Sequence, residues 1–118
     1  MANSVPPALS TLAPLDVPAA NIVQQVASFN AALLSTNMVD TTAGAVVATL
    51  PDATQCAGKG LVVFCTVHSS NVTFACVNSQ DVNSAAGTSL TALSAANTGY
   101  VFLSDGSNWF AVSGLVIK

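Results

Sequence analysis

From about residue 41 onward, short apolar runs are cut at regular intervals by Gly, Asn, Ser and Asp, and this punctuation constrains the fold more than any other feature. Ala45 to Leu50, Leu61 to Val67, Asn71 to Val77, Ser89 to Leu93, Tyr100 to Ser104 and Trp109 to Ile117 read as strands. Between them stand turn residues such as Pro51-Asp52-Ala53, Ala57-Gly58-Lys59-Gly60, His68-Ser69-Ser70-Asn71, Ala86-Gly87, Asn97-Thr98-Gly99 and Asp105-Gly106-Ser107-Asn108. Strands at this spacing predict a mainly β domain over residues 41–118, a small antiparallel sandwich or barrel of jelly-roll-like form.

One pairing can be drawn in detail. With Ser69-Ser70 at a hairpin tip, Val67 faces Val72, Cys65 faces Phe74 and Val63 faces Cys76. Alternation then gathers Val63, Cys65, Val67, Val72, Phe74 and Cys76 on one apolar face. The opposite face, around Phe64, is also largely apolar and asks for cover of its own. In so short a chain that cover is expected from another subunit. Cys65 and Cys76 become diagonal neighbours, poorly placed for a bridge, and read as buried apolar side chains.

Residues 1–40 have a different texture. Pro6, Pro7, Pro14 and Pro18, four of the five prolines, exclude an interior helix or central strand over residues 1–18. This segment reads as an extended arm, and Val5, Leu9, Leu12 and Leu15 make it too apolar for a solvated tail. Residues 19–36 are the one helix candidate: Pro18 suits a first turn, and Ile22, Val26, Phe29 and Leu33 recur at intervals of four, three and four. Its polar face lacks ion pairs, so the helix would depend on packing. Ile22, Val26 and Phe29 are therefore candidates, with Phe64, for contact between copies. A strand alternative stays open because Asn30 and Thr36 are weak helix formers.

Charge then narrows the function. Two Lys and five Asp are the only charged residues in 118, or 6% of the chain, for a net charge of −3; a soluble domain carries about 25%. The 52% hydrophobic content does not signal membrane insertion, because Leu61-Val62-Val63-Phe64-Cys65 is far short of the roughly 20 residues a spanning helix needs. Lys59 and Lys118 cannot form a phosphate-neutralising patch, which removes nucleic acid as a partner. Five Asp, His68 and three Cys leave no convergent acid–base set, so no enzyme activity, catalytic residue or cofactor is expected. The N-terminus has neither a basic region nor an uninterrupted apolar run of signal-peptide type, and an odd cysteine count fits thiols in a reducing cytoplasm.

Sharper motifs fail on inspection. Zinc ligation by Cys56, Cys65, His68 and Cys76 lacks any Cys-x-x-Cys spacing. Gly58-Lys59-Gly60 follows Ala53 where a phosphate loop has its first Gly, and Gly60 replaces the Ser or Thr. His68 has no Gly-x-Ser-x-Gly elbow to serve. The glycosylation sequon Asn71-Val72-Thr73 carries no meaning without a secretion signal.

The segment with most character runs from Gly99 to Phe110: an apolar strand, an Asp-Gly turn tolerant of positive φ, and a second strand opened by the only Trp. A strand ending in Ser104-Asp105-Gly106-Ser107-Asn108-Trp109 resembles the closing hairpin of a small β module found in bacteriophage virion proteins, including tail fibres, tailspikes and head decorations. Leu50-Pro51-Asp52-Ala53, Gly58-Lys59-Gly60, Asn71-Val72-Thr73-Phe74 and Leu90-Thr91 extend the resemblance over roughly residues 46–113. It implies a homotrimer whose subunits cover one another's sheets, with Asp105, Gly106 and Trp109 as turn and core residues and no catalytic positions. Cys65 and Cys76 stand where that family often has Ile or Val.

Within this resemblance two roles compete. A homotrimeric capsid decoration (cement) protein would use its arm, through Val5, Leu9, Leu12 and Leu15, to grip the phage major capsid protein. A short tail-fibre head would instead touch the host surface. Fibres usually need a shaft, so the length favours decoration of the virion surface by a protein made in the host cytoplasm.

Overall fold

The computed structural model describes residues 22–116, with side chains through Val112. Residues 1–18, with the arm candidates Val5, Leu9, Leu12 and Leu15, lie outside the described residues. The same holds for residues 19–21 at the start of the candidate helix.

Among the described residues ten strands form two sheets. They are β1 (Ile22–Gln25), β2 (Phe29–Asn30), β3 (Thr36–Asp40), β4 (Val46–Thr49), β5 (Gly60–Val67), β6 (Val72–Ala75), β7 (Asp81–Val82), β8 (Ala85–Ala86), β9 (Thr98–Ser104) and β10 (Trp109–Val116). The large sheet has the order β1-β3-β5-β9-β10-β7-β8, and the small sheet β2-β4-β6. The mainly β fold anticipated from the strand-and-turn texture is what forms. Its first half, however, pairs in parallel: β1 with β3, β3 with β5, β2 with β4 and β4 with β6. The chain therefore winds between the two sheets in successive coils. The antiparallel pairs β5–β9 and β9–β10 close the large sheet.

This winding overturns the expected hairpin at Ser69-Ser70. β5 and β6 do not pair; they lie in different sheets, joined by an arch over residues 68–71. Two-residue hairpin turns need positive φ, and none of His68 to Asn71 has it. The arch is held instead by the previous coil. The buried Thr41 hydroxyl accepts from Ser69 N (3.0 Å) and Ser70 N (3.1 Å) and donates to the Ser70 carbonyl (2.8 Å). Cys65 and Cys76 are thus not cross-strand neighbours, although Cys65 is buried and both thiols are free.

The helix expected over residues 19–36 is replaced, from Ile22 on, by β1, β2 and a turn. The backbone groups that a helix would pair internally are taken by distant partners. Ala31 N donates to the Thr49 carbonyl (2.8 Å) and Leu34 N to the Gly60 carbonyl (2.8 Å), while the Ser28 side chain accepts from Val47 N (3.0 Å). The fully buried Asn37 side chain accepts from Ala32 N and donates to the carbonyls of Ala32 and Val62. A single apolar stripe cannot tell a helix from strands that bend every few residues, and here tertiary pairing decides.

Two further elements differ from expectation. Ser89 to Leu93 is a short 3-10 turn at Gly87–Ser89 followed by one bridge between Leu93 and Val72. The small hairpin β7–β8, turned by Asn83 and Ser84 at positive φ, was not signalled by any apolar run.

The core lies between the sheets. Val39, Val63, Cys65, Phe102 and Trp109 face Val46, Ala48, Val72 and Phe74. The Phe74 ring meets Tyr100 edge-on at 5.5 Å and Phe102 at 5.3 Å, tying the coils to the closing hairpin. Among the described residues no helix is long and apolar enough to cross a membrane.

Candidate assembly surface

Two places stand out, a hydrogen-bonded corner and an apolar sheet face. The corner collects segments far apart in sequence. Trp109, fully buried, donates its indole N–H to the Pro51 carbonyl (2.9 Å). Ser104 Oγ donates to the Ala53 carbonyl (2.8 Å) and accepts from Gly106 N (3.0 Å), while Gly58 N donates to the Ser104 carbonyl. Asp105 accepts from the backbone N–H groups of Ser107 and Asn108, closing the turn with Gly106 at φ +95°. Asp52 accepts from Thr54 N, Thr54 Oγ1, Gln80 Nε2 and Asn78 Nδ2.

These bonds set the acid strength of the carboxyls. Gln80, then the side chain and backbone of Thr54, hold Asp52 below the usual aspartate value. The backbone N–H groups of Asn108 and Ser107 do the same for Asp105, and the side chain and backbone of Thr42 for Asp40. Burial, with Asp40 nearby, raises the Cys65 thiol, and burial with Asp81 raises Cys76. Both thiols stay protonated near neutrality and are weak nucleophiles. His68 Nε2 lies 3.1 Å from Asn71 Oδ1, a local arch contact. Among the described residues no group of three or more His, Cys, Asp or Glu side chains comes together as a metal site.

The second place is the face of the large sheet turned away from the core. Register alone builds it. Ile22 pairs with Thr36, Thr36 with Val62, Val62 with Val101, and Val101 with Val112, one row across five strands. On one side lies Gln24–Met38–Phe64–Gly99, on the other Gly60–Leu103–Phe110. Val62, Phe64 and Val101 close over one another with Met38 as a second apolar cluster. Around them Ile22 (45% exposed), Leu103 (48%), Phe110 (44%) and Val112 (54%) stay open to solvent. Gly99 makes room for Phe64: a Cβ there would lie 2.6 Å from the Val63 carbonyl oxygen and 3.0 Å from the Phe64 ring. Thr36 Oγ1, in the middle row, is buried with no hydrogen-bond partner among the described residues.

The residues singled out for contact between copies do not share a stripe. Ile22 and Phe64 lie on this outer face. Val26 is exposed in the arch after β1, and Phe29 packs inward from the small sheet. Leu103, Phe110 and Val112 belong to this face as well, and no sequence motif marks them. Their signal was present as alternation, with Tyr100, Phe102 and Trp109 inward and Val101, Leu103, Phe110 and Val112 outward.

No protein-family profile, curated protein or solved structure matches this chain.

Proposed function

We propose that the chain is a structural virion protein of a bacteriophage, a homotrimeric decoration protein that binds the outer capsid surface and stabilises the head. The corner carries this reading. Three of the segments behind the resemblance, Leu50 to Ala53, Gly58 to Gly60 and Ser104 to Trp109, are scattered in sequence yet bond to one another through Trp109, Ser104 and Gly58. They meet where the start of β5 pairs with the end of β9, which places the turns before β5 beside the closing hairpin. A charge-poor surface suits the same role, because contact between copies then strands few ions.

A cement protein works by adding buried interface between capsid subunits that must part for the shell to burst. Many copies then sum modest contacts. Val5, Leu9, Leu12 and Leu15 are the residues proposed to grip the major capsid protein.

Immunogold labelling of purified virions from a lysate in which this chain is made tests the assignment. Label over the whole head is expected, and it should fall when residues 1–18 are deleted. Label confined to the tail would overturn decoration in favour of a receptor-binding fibre head. Unlabelled particles would remove the virion role altogether.

A further inference from the structure

We propose that the open end of the coil stack, the outer edges of β1 and β2, is the docking site of the chain's own residues 8–21, which add one more coil in parallel register. The inference goes beyond the virion reading and does not depend on it.

The end is open in two respects. β1 is an edge of the large sheet and β2 an edge of the small one, and among the described residues neither strand has a neighbour on its other side. Alternate N–H and C=O groups of a parallel edge strand point away from the sheet and ask for a further strand. Burial records the same gap. The inward residues of the second coil, Asn37, Val39 and Ala48, are fully buried. Their register partners in the first coil, Val23, Gln25 and Phe29, are only half-buried. A stack of coils seals each core layer with the next, and a terminal layer needs a cap.

The register names the occupant. Ile22 pairs with Thr36 and Gln25 with Val39, an advance of fourteen residues from the first coil to the second. Fourteen residues before the first coil the same text stands: Leu9 falls at Val23, Ala13 at Ala27, Leu15 at Phe29 and Asp16 at Asn30. Leu9 and Leu15 thus fall on the two apolar residues left half open. Proline agrees with this placement. Pro14 falls at Ser28 and Pro18 at Ala32, both outside strands, while the positions matching β1 and β2, 8–11 and 15–16, hold none. A hydrogen bond drops out on both sides at once. Ala32 N donates to Asn37 Oδ1; one coil earlier Pro18 has no N–H to give and Val23 no oxygen to receive it. Leu9 and Leu15 then serve the chain's own core, which leaves Val5 and Leu12 of the four residues proposed above to reach the capsid.

Amide hydrogen exchange of the full chain, read by mass on peptides spanning residues 22–30, tests the assignment. These amides are expected to be protected, and Leu15→Asp should lower their protection by about tenfold. Ser10→Asp, at the position of the exposed Gln24, adds the same charge on the outer side and should leave protection unchanged. Leu9→Ala, a milder change, should act in the direction of Leu15→Asp, with Trp109 fluorescence reporting an intact remaining core; it decides the matter if Leu15→Asp unfolds the chain. Unprotected amides in the parent, or equal exchange in the Leu15→Asp, Leu9→Ala and Ser10→Asp chains, would overturn the proposal. Mixing heavy-isotope-labelled Leu15→Asp chain with unlabelled parent separates the source of the segment. No recovery of protection in the labelled chain is expected, and recovery would overturn the proposal by assigning the edge to residues 8–21 of a second copy.

Discussion

The connection from β5 to β6 and the one from β9 to β10 look alike in sequence, each a polar tetrad between apolar runs, yet one is an arch and the other a hairpin. Asp105-Gly106-Ser107-Asn108 carries its own geometry: a carboxylate that captures two N–H groups, and a glycine at positive φ. His68-Ser69-Ser70-Asn71 carries none. Its backbone N–H groups at Ser69 and Ser70 turn to Thr41, nearly thirty residues away. A turn that satisfies itself returns the chain beside itself, and a turn that borrows its bonds follows the lender.

The contrast can be broken most forcefully where the two halves meet. Phe74→Ala removes the ring lodged against Tyr100 and Phe102 and should cost about 3–5 kcal/mol, read by urea unfolding. Trp109 fluorescence and far-ultraviolet circular dichroism are expected to report one shared transition; separated midpoints would show that coils and hairpin stand independently.

Next is the borrowed bond itself. Thr41→Val keeps the shape but strands the Ser69 and Ser70 N–H groups, an expected loss of about 2–3 kcal/mol. A loss below about 0.5 kcal/mol, within the range of ordinary surface changes, would mean that the arch does not depend on its neighbour.

The self-contained turn should yield less. Gly106→Ala forces an L side chain into positive φ, 3.2 Å from the Ala57 Cβ, for about 1–2 kcal/mol. Equal damage from Gly106→Ala and Thr41→Val would erase the distinction between the two turns.

The gentlest probe is pH. Asp40, Asp52 and Asp105 each hold their protons less readily than in the unfolded chain, through the bonds from Thr42, from Gln80 and Thr54, and from Asn108 and Ser107. Their contribution is complete above the unfolded value of about 3.9 and is lost as pH falls through the lower folded values. The urea midpoint should be level from neutrality to about pH 5 and decline below the unfolded value near 3.9. Asp105→Asn should remove part of that decline, and an unchanged profile would show that this carboxylate is not involved.

What could be read beforehand follows the same division. The positions of β4, β5, β6, β9 and β10, the Asp-Gly hairpin and the two-sided apolarity around Phe64 rest on local pattern and are legible, whereas β7 and β8 and the turn at Gly87–Ser89 are not. The parallel coils were not. Ile22 meets Thr36 fourteen residues on, and Thr36 meets Val62 twenty-six residues on, so no fixed repeat appears in the text. The stripe Ile22, Val26, Phe29 and Leu33 misled because a chain crossing between sheets every few residues also places apolar groups at uneven short intervals. The outer face was half visible. Ile22 and Phe64 belong to it, whereas Val26 and Phe29 were assigned by a helix that does not form, and Leu103, Phe110 and Val112 needed the register of β9 and β10.

The junction of Phe74 with Tyr100 and Phe102 also makes the last strands the closure of the first. The core around Phe74, Val63 and Leu50 is completed by Phe102 and Trp109, since β9 is the second neighbour of β5 and Trp109 bonds back to Pro51. A nascent chain cut off before Thr98 would hold apolar strand edges with nothing to close them. The hairpin acts as a latch: it covers the open edge of β5 and completes the core that the earlier coils leave unfinished.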